Sequence, residues 1–393
     1  MMVDSSEMFQ KYIHHPSDIY FYSRKPIENP FPDNKKECLV IVSKSAYERS
    51  DNLARYIPDH ARIHMRSGSL PSIDEVRGIP SIPGLKYIIG IGGGAVMDVA
   101  KEYTALLLSD YRYGINELIA DGNLLDSCQF RRPKIKLRLI PTLFGSSSEL
   151  TKTCSFWALD GGRKFTLSHQ SLYADSVVYD PALCQSASKE LITISALDCL
   201  AHAMEACWNK NHCFITDHFA LGAIRLCMNA LSDNSADKEF SDLAKAAALA
   251  GLAFAQNGTS LAHALSYPIT LQSRVPHGLA SSVFLGELLE NLKTPRPEIY
   301  SSIAEIFFNA GFELAHGLCN AYQDFYKSIG AYDVLNQFDI KCINPCEAAK
   351  SARLYTKYYS SVITLFESQA VDLYKVLISK TVSNNTGFPK ALL

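Results

Sequence analysis

The 393-residue sequence has no feature that directs a protein to nucleic acid or to a membrane. Its 38 basic and 40 acidic residues give a formal net charge of −2, so no global field attracts an anionic polymer or lipid surface. No apolar run reaches the roughly 18 residues of a transmembrane helix. The N-terminal sequence has no basic stretch followed by an apolar one, so we expect no secretory signal and a cytoplasmic location.

The eleven cysteines lack any CxxC pair. The closest two are Cys342 and Cys346 in "CINPC", and no second pair completes a zinc ribbon. An odd number of cysteines, several in apolar surroundings, favours reduced and buried thiols over disulfides.

The length of the chain predicts two domains. Strand-like and helix-like segments alternate in the first half, which predicts a mainly parallel sheet. The strand-like segments are "CLVIVS" (38–43), "KYIIGIGGG" (86–94) and "IKLRLIPT" (135–142). After "SVVYDPAL" (176–183), long Ala- and Leu-rich segments predict helices. We place the boundary near Pro181, with an α/β domain over residues 1–180 and an all-helical domain over residues 181–393.

Two predicted strand ends have the composition of a nucleotide site. In "YIIGIGGGAVMDVAK", three glycines between a strand and a helix let backbone N–H groups approach a pyrophosphate. This is not the GxGxxG pattern, and a tight turn without a ligand explains the glycines alone equally well. "LIPTLFGSSSELT" (139–151) adds small hydroxyl residues at the carboxyl end of a parallel strand, where ligands bind. The two loops together favour a nucleotide site.

A core-like helical segment, "SALDCLAHAMEACW", contains Asp198 and His202 four residues apart, on one helix face. Such a pair is usually a local hydrogen bond or ion pair. His263 and His277 follow in "TSLAHALSYPITLQSRVPHGLA", and each alone is more typical of a satisfied core histidine. Together the four supply three nitrogens and one oxygen, which suit a divalent cation such as Fe²⁺ or Zn²⁺. A cation would also compensate for burying these groups.

From about Cys38 to Leu289, the chain resembles the iron-containing (group III) alcohol dehydrogenases. "GGGAVMDVAK" is similar to their GGGSxxDxAK and "PTLFGSSSE" to their PTTxGTGSE. "ALDCLAHAMEA" is similar to GxDALTHAxEA, and "AHALSYP" with "VPHGLA" to the HxxxH and PHG segments. The resemblance implies an N-terminal Rossmann-like parallel-sheet nucleotide domain, a C-terminal helical metal-binding domain, and a site in the cleft between them.

The resemblance also implies hydride transfer between NADH or NADPH and a small aldehyde or alcohol, one divalent metal, and a homodimer. It places the metal at Asp198, His202, His263 and His277. The cofactor-lining positions that it implies are Gly93, Gly94, Ala95, Asp98, Thr142, Ser146, Thr151 and Lys164.

Three positions depart from the family pattern. Ala95 replaces the serine of GGGS, which removes a hydroxyl but keeps the backbone N–H groups. Lys44 stands where NAD-preferring members often carry Asp, so we expect NADPH to be accepted, although a solvated surface lysine fits the sequence nearly as well. Tyr267 replaces the second histidine of HxxxH, which many members use in proton relay. Tyr267 and His277 are therefore the catalytic candidates, with water as the alternative proton donor.

The segments "HALSYPIT", "SFW", "KFTLSHQSLYAD" and "ACWN" look like the branch that contains phosphonoacetaldehyde reductases. That branch reduces phosphonoacetaldehyde to 2-hydroxyethylphosphonate, whose dianion needs cationic donors. Arg163, Lys152 and Arg274 are candidates, and each is equally typical of a solvated surface. The alternatives are another alcohol or glycerol-type dehydrogenase, a dehydroquinate-synthase-like lyase and a non-catalytic binding protein. The lyase uses a Glu-His-His metal site, and the combination of Asp198 with three histidines argues against that alternative.

Overall fold

The computed structural model describes residues 15–21, 37–68, 70–72, 75–131, 135–158, 163–232 and 236–382. Six strands form one parallel sheet, and two more form an antiparallel hairpin. The sheet strands are β1 (Asp18–Phe21), β2 (Cys38–Ser43), β3 (Arg62–Arg66), β4 (Tyr87–Gly92), β5 (Lys136–Pro141) and β8 (Ser176–Tyr179). The hairpin consists of β6 (Thr153–Ala158) and β7 (Arg163–Ser168). The predicted parallel sheet is confirmed, whereas the hairpin was not predicted.

The strand order β1-β8-β5-β4-β2-β3 reverses direction between β2 and β4. The chain runs outward from β2 to β3, returns to β4, and then runs outward again to β5 and β8. Ligands of open parallel sheets bind at such a reversal, beyond the carboxyl ends of the strands. The glycine-rich loop follows β4 and therefore starts at this position.

Both faces of the sheet are covered at the inner strand β2, where alternate residues enter different cores. Leu39 and Ile41 of β2 belong to the larger hydrophobic cluster, and Val40 and Val42 belong to a smaller one. This period of two is the geometry of a strand, and continuous apolar runs are typical of parallel strands covered on both sides.

The described residues of the first half form three α-helices, namely α1 (Lys44–Arg49), α2 (Gly94–Leu108) and α3 (Ile115–Ala120). Those of the second half are α4 (Lys189–Trp208), α5 (Phe214–Ser232), α6 (Ala236–Asn257), α7 (Leu261–Ser273), α8 (His277–Ser282), α9 (Leu285–Leu292), α10 (Pro297–Asn309), α11 (Leu318–Ser328), α12 (Ala331–Leu335), α13 (Pro345–Arg353) and α14 (Glu367–Val382). The predicted helical second half is confirmed, since β8 is the last sheet strand in the described part of the chain. The larger hydrophobic cluster joins residues of both halves.

The central helix α4 begins after Ser188, whose hydroxyl accepts the N–H of Leu191. It is the one described helix long and apolar enough to cross a membrane, but 83% of its most apolar 18-residue window is buried inside the protein, as in core helices.

No disulfide joins any of the eleven cysteines, all of which lie in the described residues.

Candidate metal and nucleotide site

A cavity of about 560 Å³ opens where β4 and β5 end. Its wall combines residues of the first and second halves of the chain. The first half contributes the start of α2 and the loop after β5, and the second contributes α4, α7 and α8. The cavity-lining residues that these elements contribute are Gly94, Ala95, Asp98, Ser146, Ser148, Thr151, Asp198, His202, His263 and His277.

One face of the β6–β7 hairpin forms another wall of the cavity. Successive side chains of a strand point to opposite faces, and the cavity-lining residues alternate accordingly along both strands. The opposite face is buried in the core through Cys154, Phe156 and Leu167. The lining residues are Thr153, Ser155 and Trp157 of β6 with Lys164, Thr166 and Ser168 of β7. The hairpin thus presents Lys164 opposite Trp157.

The glycine-rich loop leads directly into the 15-residue helix α2. Gly93, the N-cap residue, supplies no capping side chain, so the first turn of α2 is suited to an anionic ligand. A Cβ on Gly94 would lie 2.5 Å from Oγ of Ser146. The two loops therefore approach each other only because residue 94 is glycine, and together they could hold a pyrophosphate.

Buried hydrogen bonds of Lys101 and Asp98 fix the loop after β5 against α2. Lys101 Nζ donates to Oγ of Ser148 at 2.9 Å and to Oγ1 of Thr151 at 3.0 Å. Asp98 accepts from Ser148 Oγ at 2.6 Å and from the backbone N–H of Ser155 at 3.2 Å. Burial lowers the pKa of Lys101, and the charge of Asp98 opposes that change. Asp98 thus holds the cavity wall as well as lining it.

Three of the four predicted metal ligands come together at the other end of the cavity. The ligand atoms of Asp198 on α4, His263 on α7 and His277 on α8 all lie within 4.8 Å of one another. Within the described residues, the buried Nε2 of His263 and Nδ1 of His277 have no hydrogen-bond partner. Buried polar atoms are rarely left unpaired. Two such nitrogens beside a carboxylate fit a divalent cation.

The protonation of His263 also suits a metal ligand. Its Nδ1 lies 2.6 Å from Oε2 of Glu205, and its Nε2 lies 3.7 Å from Asp198 Oδ1. Burial lowers the pKa of His263 well below its usual value, so the ring is neutral. With Nδ1–H donated to Glu205, Nε2 presents its lone pair toward Asp198, as in carboxylate–histidine–metal sites.

Glu205 was not assigned a role in the sequence. Its carboxylate accepts the backbone N–H groups of Ser260 at 3.0 Å and of His263 at 3.1 Å, at the start of α7. Burial raises the pKa of Glu205, and these N–H groups oppose that rise by stabilising its ionised form. The sequence spacing could have identified Glu205, because it follows Asp198 by seven residues and His202 by three on an apolar helix. This spacing puts the three side chains near one helix face.

His202, the fourth predicted ligand, packs beside the other three. Its ring stacks on His263 at 4.6 Å between centroids and on Phe254 at 4.3 Å. Its Nδ1 lies 3.2 Å from the backbone oxygen of Gly145, which fits an N–H donor at that position. The group of ligand atoms within 4.8 Å does not include His202, and its role as a ligand stays a prediction.

Close helix packing positions these ligands. A Cβ on Gly278 would lie 2.2 Å from the backbone oxygen of Ile194 and 2.9 Å from Cβ of Asp198. The start of α8 therefore approaches α4 closely only because residue 278 is glycine, which brings His277 beside Asp198. Ser281, one turn further along α8, donates its hydroxyl to Asp198 Oδ1 at 3.1 Å.

Tyr267 lies one helical turn after His263 and is 1% exposed. Its ring stacks against that of His277 at 6.0 Å and meets Trp157 edge-on at 6.0 Å. Lys357 Nζ donates to its hydroxyl at 3.1 Å, and Lys164 Nζ lies 4.7 Å from its ring centroid. Burial raises the pKa of Tyr267, but the charges of Lys164 and Lys357 outweigh burial and lower it.

Lys357 is a cavity residue that the sequence did not identify. It belongs to a short 3₁₀ helix, Thr356–Tyr359, ninety positions after Tyr267 in the chain. No local pattern marks this lysine, because its position depends on long-range packing. Only the three-dimensional structure brings it to the cavity.

Several predicted residues lie away from the described cavity wall. Gly93, Thr142 and Tyr267 are not among its lining residues, although Tyr267 contacts the lining residues His277 and Lys357. Lys44 begins α1 on the surface, with its Nζ 3.9 Å from Glu48. For the anion-binding candidates, Lys152 lines the cavity, Arg274 is exposed at the end of α7, and the Arg163 side chain lies outside the described residues.

The chain is similar to known dehydrogenases over most of its length. The model of the iron-containing alcohol dehydrogenases matches residues 27–181. The model described as the Fe-containing alcohol dehydrogenase family, C-terminal, matches residues 192–376. These two ranges contain the glycine loop and the three clustered ligands.

Individual relatives support the same relationship. 1-Propanol dehydrogenase PduQ of Salmonella typhimurium is 28% identical over 309 residues, or 75% of each chain. Phosphonoacetaldehyde reductase of Streptomyces viridochromogenes is 30% identical over 217 residues, and the match spans 52% of its length. The solved structure of sulfoacetaldehyde reductase from Bifidobacterium kashiwanohense in complex with NAD⁺ has a TM-score of 0.75 and 20% identity, with 93% of this chain and 98% of that chain covered. The chain belongs to the iron-containing alcohol dehydrogenase family and is therefore an enzyme of the oxidoreductase class.

Proposed function

We propose that the protein catalyses the metal-dependent, NADH- or NADPH-linked reduction of a small aldehyde to a primary alcohol. One observation carries the proposal: two unpaired, buried histidine nitrogens and a carboxylate share a cavity with a glycine-rich helix start. A metal site and a pyrophosphate site in one cavity are the two parts that such a reaction requires.

Asp198, His263 and His277 would hold one Fe²⁺ or Zn²⁺ ion, with His202 beside them. Such an ion, when bound, supplies Lewis-acid stabilisation of the negative charge on the substrate oxygen. Asp198 offsets part of the charge of the ion. Glu205 keeps His263 in the tautomer that leaves Nε2 available.

The first half of the chain orients the cofactor, whose nicotinamide supplies the hydride. Gly94 and Ala95 offer the N-terminal N–H groups of α2 to the pyrophosphate. Ser146 and Thr151 line the same wall, and Lys101 holds their loop in place. This arrangement supplies the alignment on which the transfer depends.

The alcohol product needs a proton on its oxygen, and Tyr267 is the candidate donor. Its hydroxyl accepts a hydrogen bond from Lys357 at 3.1 Å, so the ammonium stabilises the phenolate left behind after proton transfer. Tyr267 packs against His277, which places the donor beside the metal ligands.

The aldehyde that we propose is phosphonoacetaldehyde, with 2-hydroxyethylphosphonate as its product. The 30% identity with a phosphonoacetaldehyde reductase supports this choice. The 28% identity with a 1-propanol dehydrogenase supports the second candidate, an alcohol dehydrogenase for uncharged substrates.

An aldehyde panel tests the proposal. It combines phosphonoacetaldehyde, propanal and butanal with NADH or NADPH, after Fe²⁺ or Zn²⁺ has been restored. Release of stoichiometric oxidised cofactor distinguishes the reductase from a lyase that uses NAD transiently. No turnover of any aldehyde would contradict the proposal, and glycerol oxidation without aldehyde reduction would favour a glycerol-type dehydrogenase.

A further inference from the structure

Two cavity-lining lysines lie beside the Tyr267 ring without an ion-pair partner. Lys164 Nζ lies 4.7 Å from the Tyr267 ring centroid, and Lys357 Nζ lies 5.8 Å from it. Within the described residues, neither ammonium group forms an ion pair: Lys357 donates to the Tyr267 hydroxyl, and Asp98 and Asp198 act on Lys164 only through longer-range charge attraction. Two half-buried cations that line one cavity without an ion-pair partner are suited to an anion.

The negative charges nearby are already engaged. Asp98 accepts hydrogen bonds from Ser148 and Ser155 and has Lys101 as its electrostatic partner. Asp198 belongs to the candidate metal group. Neither carboxylate is available to neutralise the two lysines.

Lys357 is held in an orientation that leaves it able to bind a ligand. An ammonium group has three N–H donors, and Lys357 gives one of them to the Tyr267 hydroxyl. The Tyr267 ring is in turn fixed by edge-on contacts with Tyr355 at 4.6 Å and with Trp157 at 6.0 Å. The remaining N–H groups of Lys357 can therefore meet an acceptor in the cavity.

We propose that Lys357, with Lys164 beside it, binds the acid group of an aldehyde whose far end is a phosphonate, sulfonate or carboxylate. This inference rests on the proposed function and deepens it, since it names the substrate class and the residue that selects it. The aldehyde end faces Asp198, His263 and His277, while the acid group lies against the Tyr267 side of the same cavity. Lys357 is thus a specificity residue in addition to its contact with Tyr267, and charged aldehydes depend on it more than uncharged ones.

The test compares charged with uncharged substrates in K357M, K357R and the control K327M, which removes an exposed lysine on α11. For K357M we expect kcat/KM for phosphonoacetaldehyde to fall roughly 10- to 100-fold, mainly through KM, because a charge-assisted hydrogen bond is lost. Butanal turnover should fall by a smaller factor and through kcat, because Lys357 also donates to the candidate proton donor Tyr267, and K357R should recover part of the loss in KM for phosphonoacetaldehyde. Sulfoacetaldehyde and succinic semialdehyde show which acid group is preferred.

Calorimetric titration with 2-hydroxyethylphosphonate supplies a readout that does not depend on turnover. We expect binding to wild type and K327M, and binding at least roughly tenfold weaker to K357M. An equal loss for charged and uncharged aldehydes, a rise in KM for NADH or NADPH alone, or unchanged binding would overturn the inference. If wild type binds the phosphonate through Lys357 but reduces no aldehyde, the proposed function fails and the anion site stands.

Discussion

Nδ1 of His263 lies 2.6 Å from Oε2 of Glu205, and this contact decides which nitrogen of His263 faces Asp198. Both side chains are buried, and the N–H groups at the start of α7 hold the Glu205 carboxylate. A residue that does not itself bind the metal can in this way control metal affinity.

Replacing Glu205 with Gln should therefore weaken metal binding roughly 10- to 100-fold. The amide cannot fix the His263 tautomer as a carboxylate does. Chelator competition with Zn²⁺ measures the effect, and E305Q, which alters an exposed glutamate on α10, serves as control. Equal affinities in wild type and E205Q would contradict the role of Glu205.

Gly278→Ala tests how closely α8 and α4 must pack. The new Cβ meets the backbone oxygen of Ile194 at 2.2 Å, so the helix must shift. We expect a loss of roughly 1–3 kcal/mol in the free energy of unfolding, together with weaker metal binding because His277 moves. Urea unfolding measures the stability, and G78A, where a Cβ meets nothing within 4 Å, is the control. Equal stability of the two variants would contradict this packing.

Glu149 should make stability depend on pH. Burial raises its pKa from 4.5 to about 7, although Tyr179 donates a hydrogen bond to it. A carboxyl group with a raised folded-state pKa stabilises the fold below its unfolded pKa, and this stabilisation is lost as pH rises through about 7. The stability of E149Q relative to wild type should rise by roughly 2–3 kcal/mol from about pH 5 to about pH 8.5.

Urea unfolding of wild type, E149Q and the control E305Q over that pH range measures the difference. The control should run parallel to wild type, because Glu305 is exposed. A difference between E149Q and wild type that stays constant with pH would show that Glu149 is ionised throughout.

Lys44 should influence the choice between the two cofactors. It follows β2 at the reversal of strand order, and its exposed contact with Glu48 at 3.9 Å is a weak ion pair. Replacing it with Asp should lower the preference for NADPH over NADH by roughly tenfold or more, through loss of attraction to the 2′-phosphate. The ratio of kcat/KM values measures this, with K189D as control. An unchanged ratio would identify Lys44 as a solvated surface residue.

The structural elements that a local sequence pattern marks could be predicted, whereas contacts between distant parts of the chain could not. Strands β2 and β4 have apolar runs ended by turn residues, β5 alternates charged and apolar residues, and the glycines mark the start of α2. The β6–β7 hairpin was not predicted, because its alternation of polar and apolar residues is short. Cys154 and Phe156 are nevertheless both buried, as an alternating strand requires. Lys357 could not be predicted, since its contact with Tyr267 joins distant parts of the chain.

The most direct measurement of the central claim is an anomalous difference map from crystals of the protein loaded with Fe²⁺ or Zn²⁺. The account predicts one peak per chain, within about 2.5 Å of ligand atoms of Asp198, His263 and His277. A metal-loaded, active enzyme with no peak among these three side chains would contradict it.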